Sequence, residues 1–214
     1  MSYWMTFRYI ILGDSTVGKS CLMHRFTDRR YRENAPPATV GVDFGSRFLQ
    51  LEDHVIKLLL WDSAGQECFR SIAKSYVRNT IGILLAYDIS SRESFNSVAG
   101  WLEDIHMNAD PDAIIMLVGN KSDLEDEREV SYEEGEKFAK DNDLHFFIET
   151  SAKTADNVDE AFEKTASLIY RLILEERIEP SDSNGLKPGP LYGGVEEEVI
   201  VEDTNEEVGG TCTC

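Results

Sequence analysis

Eight consecutive residues offer the first recognisable chemistry. Gly13-Asp14-Ser15-Thr16-Val17-Gly18-Lys19-Ser20 places four residues between two glycines and follows them with Lys and Ser. Glycine permits an unusual backbone turn, so successive N–H groups can point inward at phosphate oxygens. The segment follows an apolar run and opens a helical pattern, whose N-terminus adds a favourable dipole for an anion. Ser15, Thr16, Val17, Gly18 and Cys21 are thus candidate phosphate contacts, together with Lys19, which reaches the outer phosphates, and Ser20, whose hydroxyl can ligate magnesium. The pattern does not by itself separate ATP from GTP.

Two further tetrapeptides address the base. Asn120-Lys121-Ser122-Asp123 closes a buried run, and a carboxylate there can accept two hydrogen bonds from guanine N1 and its exocyclic amine. Adenine offers no such pair, and a buried polar site rejects an analogue that lacks the donors. Thr150-Ser151-Ala152-Lys153 closes the next run, where backbone N–H groups can meet the guanine oxygen. Either alone reads equally well as a polar loop; together and in this order they point to guanine.

A fourth segment, Trp61-Asp62-Ser63-Ala64-Gly65-Gln66-Glu67, carries the hydrolytic candidates. Asp62 is placed for magnesium through water, because Mg²⁺ keeps several waters. The Gly65 N–H can sense a γ-phosphate, and Gln66 can orient the attacking water. Thr39, in a loop with Pro36 and Pro37, can close onto magnesium when a γ-phosphate is present.

Short apolar runs alternating with helix-period segments must position these groups, the pattern of an α/β protein with a mostly parallel sheet. The expected strands are Phe7–Leu12, Phe44–Leu51, Val55–Trp61, Ile81–Tyr87, Ala113–Gly119 and His145–Ile148, the second and third pairing as an antiparallel hairpin. Phe95, Val98, Leu102 and Ile105 recur at helical spacing behind Ser90 and Ser91 as caps, and Ser131 with Glu134 fits a capping box. Val158, Phe162, Leu168, Leu172 and Ile173 mark one face of a last helix. These stripes read as core rather than as cofactor contacts.

The chain has 214 residues, 42% of them hydrophobic, which suits one domain with a tail. Its formal net charge of -19 argues against nucleic acid as a partner. No segment reads as a signal peptide, and no uncharged apolar stretch approaches a membrane span. Four cysteines, Cys21, Cys68, Cys212 and Cys214, make no disulfide framework, which points to a reducing, cytosolic setting. Cys68 reads as an inert surface cysteine in preference to a reactive thiol. After Pro180, Ser, Gly, Pro and acidic residues dominate, which predicts a solvated tail.

In this order and spacing the five motif segments resemble the Ras superfamily of small GTPases. Val40-Gly41-Val42-Asp43-Phe44, Lys57-Leu58-Leu59-Leu60-Trp61 and Leu85-Ala86-Tyr87-Asp88-Ile89 are similar to the Rab branch in particular. Ser15-Thr16-Val17 followed by Cys21 to Thr27 is most like the Rab thirty-nine subgroup, which is associated with Golgi and endosome–lysosome traffic.

The resemblance implies a phosphate-loop GTPase fold over residues 6–176, with a six-stranded, mostly parallel sheet, one antiparallel strand and five helices. Residues 177–214 would be a flexible acidic tail. It implies Mg²⁺ held by Ser20, Thr39 and Asp62, Tyr31 packed against the nucleoside, and switches at residues 34–44 and 63–79. Val40, Gly41 and the aromatic triad Phe44, Trp61 and Tyr76 would face effectors. Three positions depart from the family pattern: Ser63 for Thr, Cys68 for Arg where regulators dock, and Val77 for Tyr beside Tyr76.

Cys212-Thr213-Cys214 is not a CaaX box and resembles the Rab signal for two geranylgeranyl chains. From Ser181 onward eight acidic side chains stand against Lys187 alone, so anionic lipids should repel the tail. The implied partners are GTP and GDP, effectors, an exchange factor, a GTPase-activating protein, a GDP-dissociation inhibitor and a Rab escort protein. The expected protein is a monomer on the cytosolic face of Golgi or endosome–lysosome membranes, cycling through the cytosol. A module that holds GTP without hydrolysis is opposed by Gln66, and an ATP-using kinase by Asn120-Lys121-Ser122-Asp123.

Overall fold

The computed structural model describes residues 2–31, 42–63 and 75–192. The expected roles of Thr39, Val40, Gly41, Gly65, Gln66, Cys68, Cys212 and Cys214 lie outside the described residues.

In chain order the elements are β1 (Met5–Leu12), α1 (Lys19–Asp28), β2 (Val42–Leu51), β3 (His54–Ser63), β4 (Gly82–Asp88), α2 (Arg92–Asn108), β5 (Ile114–Asn120), α3 (Tyr132–Asp141), β6 (Phe146–Thr150), α4 (Val158–Leu174) and β7 (Leu186–Pro188). Residues 75–77 are also helical, which makes five helical segments among the described residues beside a short 3-10 turn at Glu125–Glu127. The sheet runs β2-β3-β1-β4-β5-β6. All neighbours on this path are parallel except β2 with β3, whose hairpin sets Phe44 opposite Trp61 and Leu51 opposite His54.

The period-2 alternation of β1 separates two cores. Phe7, Tyr9 and Ile11 face one layer, where α1 and α4 pack and Phe26 stacks on Phe162 at 4.1 Å. Ile10 and Leu12 face the other, with Val98, Trp101, Leu102 and Ile105 of α2. β4 and β5 are buried at every residue, which explains why they read as continuous apolar runs. Ser91 caps α2 by accepting from the Ser94 N–H, and Ser131 with Glu134 forms the expected capping box on α3. No helix among the described residues is long and apolar enough to cross a membrane.

Two expectations need correction. A seventh strand joins the expected six, and it comes from the segment read as a solvated tail. β4 pairs only with residues 9–12 of β1, so the edge of β1 at residues 5–7 is open to another strand. β7 takes it, antiparallel, with Leu186 opposite Phe7 and Pro188 opposite Met5. Leu186 is fully buried, and Ile178 and Asn184 are buried with it. The Asn184 amide oxygen accepts from the N–H groups of Ser181 and Leu186, while its nitrogen donates to the Glu179 carbonyl. Composition concealed this strap because a few well-placed residues hold it among polar neighbours.

Candidate nucleotide site

The C-terminal ends of the parallel strands converge, as ligand-binding ends of such sheets do. β1 delivers the glycine loop, β3 delivers Asp62, β5 ends at Asn120, and β6 ends at Thr150 just before Ser151. Gly18 caps α1 at φ 97, in the left-handed region that favours glycine. Crowding adds to this: a Cβ there would meet the Asn120 amide nitrogen at 2.4 Å. That nitrogen donates to the Val17 carbonyl at 2.7 Å, so Asn120 ties the base segment to the phosphate loop. Thr16 and Lys121 also take positive φ, 68 and 65, and strain of this kind gathers at ligand sites.

Lys19 is buried, with its ammonium donating to the carbonyls of Gly13 at 2.9 Å and Asp14 at 2.7 Å. Burial pulls its pKa down to about 8, against the opposing pull of the Asp62 and Asp14 carboxylates. A cation held in so dry a place gains strongly from an arriving phosphate. Cys21 is half-buried, and burial raises its thiol pKa, so at neutral pH it is a thiol. Ser15 and Thr16 are exposed at the loop's outer turn, and Val17 is buried.

The Ser20 hydroxyl donates to the Asp62 carboxylate at 2.5 Å. Burial pushes the Asp62 pKa up, while the Ser20 hydrogen bond and the Lys19 charge pull it back. A hydroxyl and a carboxylate are hard oxygen donors of the kind magnesium takes, so these two residues fit the ion. Held by Ser20 and Asp62, the ion would supply positive charge against the phosphates.

At the base end Asp123 accepts from the Ser151 hydroxyl at 2.6 Å, and Lys153 approaches it at 3.8 Å. Lys121 pairs with Asp88 at 2.6 Å across the β4 and β5 ends. Thr150 donates to the Asn120 side-chain oxygen at 3.2 Å. Ser151 and Ala152 are buried and Lys153 is exposed, so the segment runs from the core outward. Tyr31 lies exposed beyond α1, beneath the Arg25 guanidinium. The phosphate, metal and base candidates of β1, β3, β5 and β6 thus meet at one end of the sheet.

Comparison with known protein families matches residues 8–171 to the Ras family. The chain belongs to the Ras family. It is a small GTPase that binds GTP and GDP, hydrolyses GTP and works with magnesium, as the family does.

In this Ras-family GTPase the residues expected to grip the nucleotide are brought together: Lys19 is held by the phosphate loop's own carbonyls, Ser20 is bonded to Asp62, and Asp123 is held by Ser151. Four contributors escaped the sequence reading: Asp14, Arg25, Asp88 and Thr150. Asp14 and Thr150 stand inside quoted motifs, and Asp88 inside a quoted family segment, so each was visible but had no assigned partner. The signal for Arg25 is a basic residue in the last turn of a helix whose buried face is Leu22, Met23 and Phe26.

On the adjoining surface Phe44, Trp61 and Tyr76 form a ladder, with ring centroids 6.2 Å and then 4.9 Å apart. Phe44 is 69% exposed, and the inner two rings pack on the second core. Val77, where the family pattern has Tyr, turns inward and is buried.

Proposed function

We propose that this GTPase is a Rab-type switch, prenylated at Cys212 and Cys214, that recruits tethers or motors to vesicles while loaded with GTP. The aromatic ladder of Phe44, Trp61 and Tyr76, exposed at Phe44, carries this reading, because an apolar ring standing in water beside the strand that carries Asp62 is suited to a partner that reads nucleotide state. Thr39 would ligate magnesium and the Gly65 N–H would meet the γ-phosphate, so that residues 34–44 and 63–79 would act as the switches that respond to hydrolysis. Gln66 orients the attacking water. Intrinsic turnover is slow, on the order of 10⁻⁴ s⁻¹, and rises when an activating protein supplies an arginine. Val40, Gly41 and the ladder form the effector face.

The organelle is a Golgi or endosome–lysosome membrane, on the resemblance to the Rab thirty-nine subgroup. An exchange factor, a GDP-dissociation inhibitor and a Rab escort protein complete the cycle. Both anchoring signals are lipid, since the acidic tail gives anionic headgroups nothing to hold.

One set of experiments tests this reading. GTP should be hydrolysed slowly, and far more slowly by Gln66→Leu. An isolated effector should bind the GTP form and lose it with Phe44→Ala. Mass spectrometry from eukaryotic cells should find two prenyl groups, absent from a Cys212→Ser, Cys214→Ser variant. An unmodified C-terminus, or partners indifferent to the nucleotide, would overturn the Rab assignment. Stronger binding of the lipidated protein to acidic than to neutral liposomes would overturn the electrostatic part.

A further inference from the structure

Arg25 lies on α1 and reaches across to the base segment that also holds Asp123. Its Nε donates to the Ala152 carbonyl at 2.7 Å, and a terminal nitrogen donates to the Lys153 carbonyl at 2.8 Å. The other terminal nitrogen reaches the Arg29 carbonyl at the helix end at 3.5 Å. Its guanidinium carbon stands 5.7 Å from the Tyr31 ring centroid. One planar fork therefore grips two consecutive carbonyls of the segment that lies beside Asp123, from a helix whose first residue is Lys19.

The geometry of the peptide bond turns this grip into positioning. A trans peptide is planar, with its C=O and N–H pointing in opposite directions. Holding the Ala152 carbonyl on the α1 side aims the Lys153 N–H away from α1. Holding the Lys153 carbonyl does the same for the Thr154 N–H. That N–H donates to the Ser151 hydroxyl oxygen at 3.1 Å, and the same hydroxyl donates to Asp123 at 2.6 Å. A continuous chain of contacts thus runs from Arg25 through the 153–154 peptide and Ser151 to the carboxylate.

We propose that Arg25 is a positioning residue for guanine recognition. Through these bonds it fixes the direction of the 152–154 peptide groups and, through Ser151, the orientation of Asp123. It also links the helix that begins at the phosphates to the segment that reads the base, so a displacement of α1 loosens the grip on guanine. The residue acts through others and touches no nucleotide atom itself. The inference rests on the guanine-nucleotide assignment.

The test compares release of GDP and of inosine diphosphate, which lacks the exocyclic amine that Asp123 would accept from. The proteins are the full chain, Arg25→Ala and Arg25→Lys. Wild type should hold GDP longer than inosine diphosphate; if it showed no preference, the assignment of the base site would fail before Arg25 was in question. Arg25→Ala should speed GDP release about tenfold or more and inosine diphosphate release much less, so that the preference shrinks. Arg25→Lys, which keeps the charge but not the fork, should recover only a small part, and it serves the same comparison if the alanine variant does not fold. Equal acceleration of both nucleotides, or full recovery by lysine, would overturn the proposal, since a general loosening or a simple charge effect predicts those results.

Discussion

The Trp101 indole N–H donates to the Asp14 carboxylate at 2.8 Å, joining the middle of α2 to the phosphate loop 87 residues earlier. The Asp14 backbone carbonyl, in turn, accepts from Lys19. A buried helix residue therefore holds the outer wall of the loop from which the key cation is hung. Trp101→Phe keeps most of the ring volume and removes the donor. Losing a partly buried bond to a charged group costs about 1.5–3 kcal/mol. The variant should unfold at lower temperature and release a fluorescent GDP analogue several-fold faster. Release at the wild-type rate would show that the contact is incidental to the loop.

Removing magnesium should have a larger effect, for an electrostatic reason. The Asp62 carboxylate is buried beside the phosphate site, where charges are weakly screened. With the ion present the carboxylate and phosphates share its charge; without it they face each other. Chelation should therefore accelerate GDP release at least about tenfold, a change of ~1.4 kcal/mol. Asp62→Ala should release GDP quickly with or without chelator. Wild-type release unmoved by chelation would remove Ser20 and Asp62 from the metal site.

The parts of the site legible in the sequence are those built from contiguous residues at strand ends. The Gly13–Ser20 loop, Asp62, Asn120–Asp123 and Ser151–Lys153 each follow an apolar run, so their motif and their position could be read together. Arg25 was not legible, because its partners lie 127 and 128 residues away and no local pattern announces them. Trp101 read as one more core residue, which it is, and its polar handle was invisible until Asp14 stood beside it. The strands of the main path were readable to within two residues, β4 and β5 because strands buried at every residue are continuously apolar. β7 was not: it is three residues long, and its pairing exists only because β4 leaves residues 5–7 of β1 unpaired.

His145 gives a pH-dependent term of known sign. Partial burial of its ring lowers its pKa from the ordinary 6.5, and its Nδ1 accepts the Ile115 N–H at 3.1 Å. As pH falls below about 6.5 the unfolded chain takes the proton first, so stability declines from there until the folded imidazole also titrates. Above that range His145 contributes no slope. His145→Asn keeps an acceptor near the same place and does not titrate. Urea unfolding at pH 7.5 and 5.5 should show a larger loss for wild type than for the variant. Equal losses would assign the whole acid sensitivity to other groups.

The strap at residues 178–192 makes the sharpest prediction about where the folded unit ends. Leu186 is fully buried beside β1, and the Gly189 and Leu191 N–H groups donate to the carbonyls of Trp4 and Tyr3. Tyr192 then packs on Trp4, ring centroids 5.7 Å apart. The turn before it needs Gly185 at φ 81, where a Cβ would stand 2.6 Å from the Asn79 carbonyl oxygen. Leu186→Ala should destabilise the protein by about 2–5 kcal/mol, as large-to-small changes at full burial do. Ending the chain at residue 177 should cost at least as much, because it also removes Ile178 and reopens the β1 edge. Both would appear as lower urea midpoints of the GDP-bound protein. A midpoint unchanged by truncation would mean the segment is a solvated tail after all. A lowered one would place the start of any free tether beyond Tyr192, which leaves far less chain between the GTPase body and the cysteines that would carry its lipids.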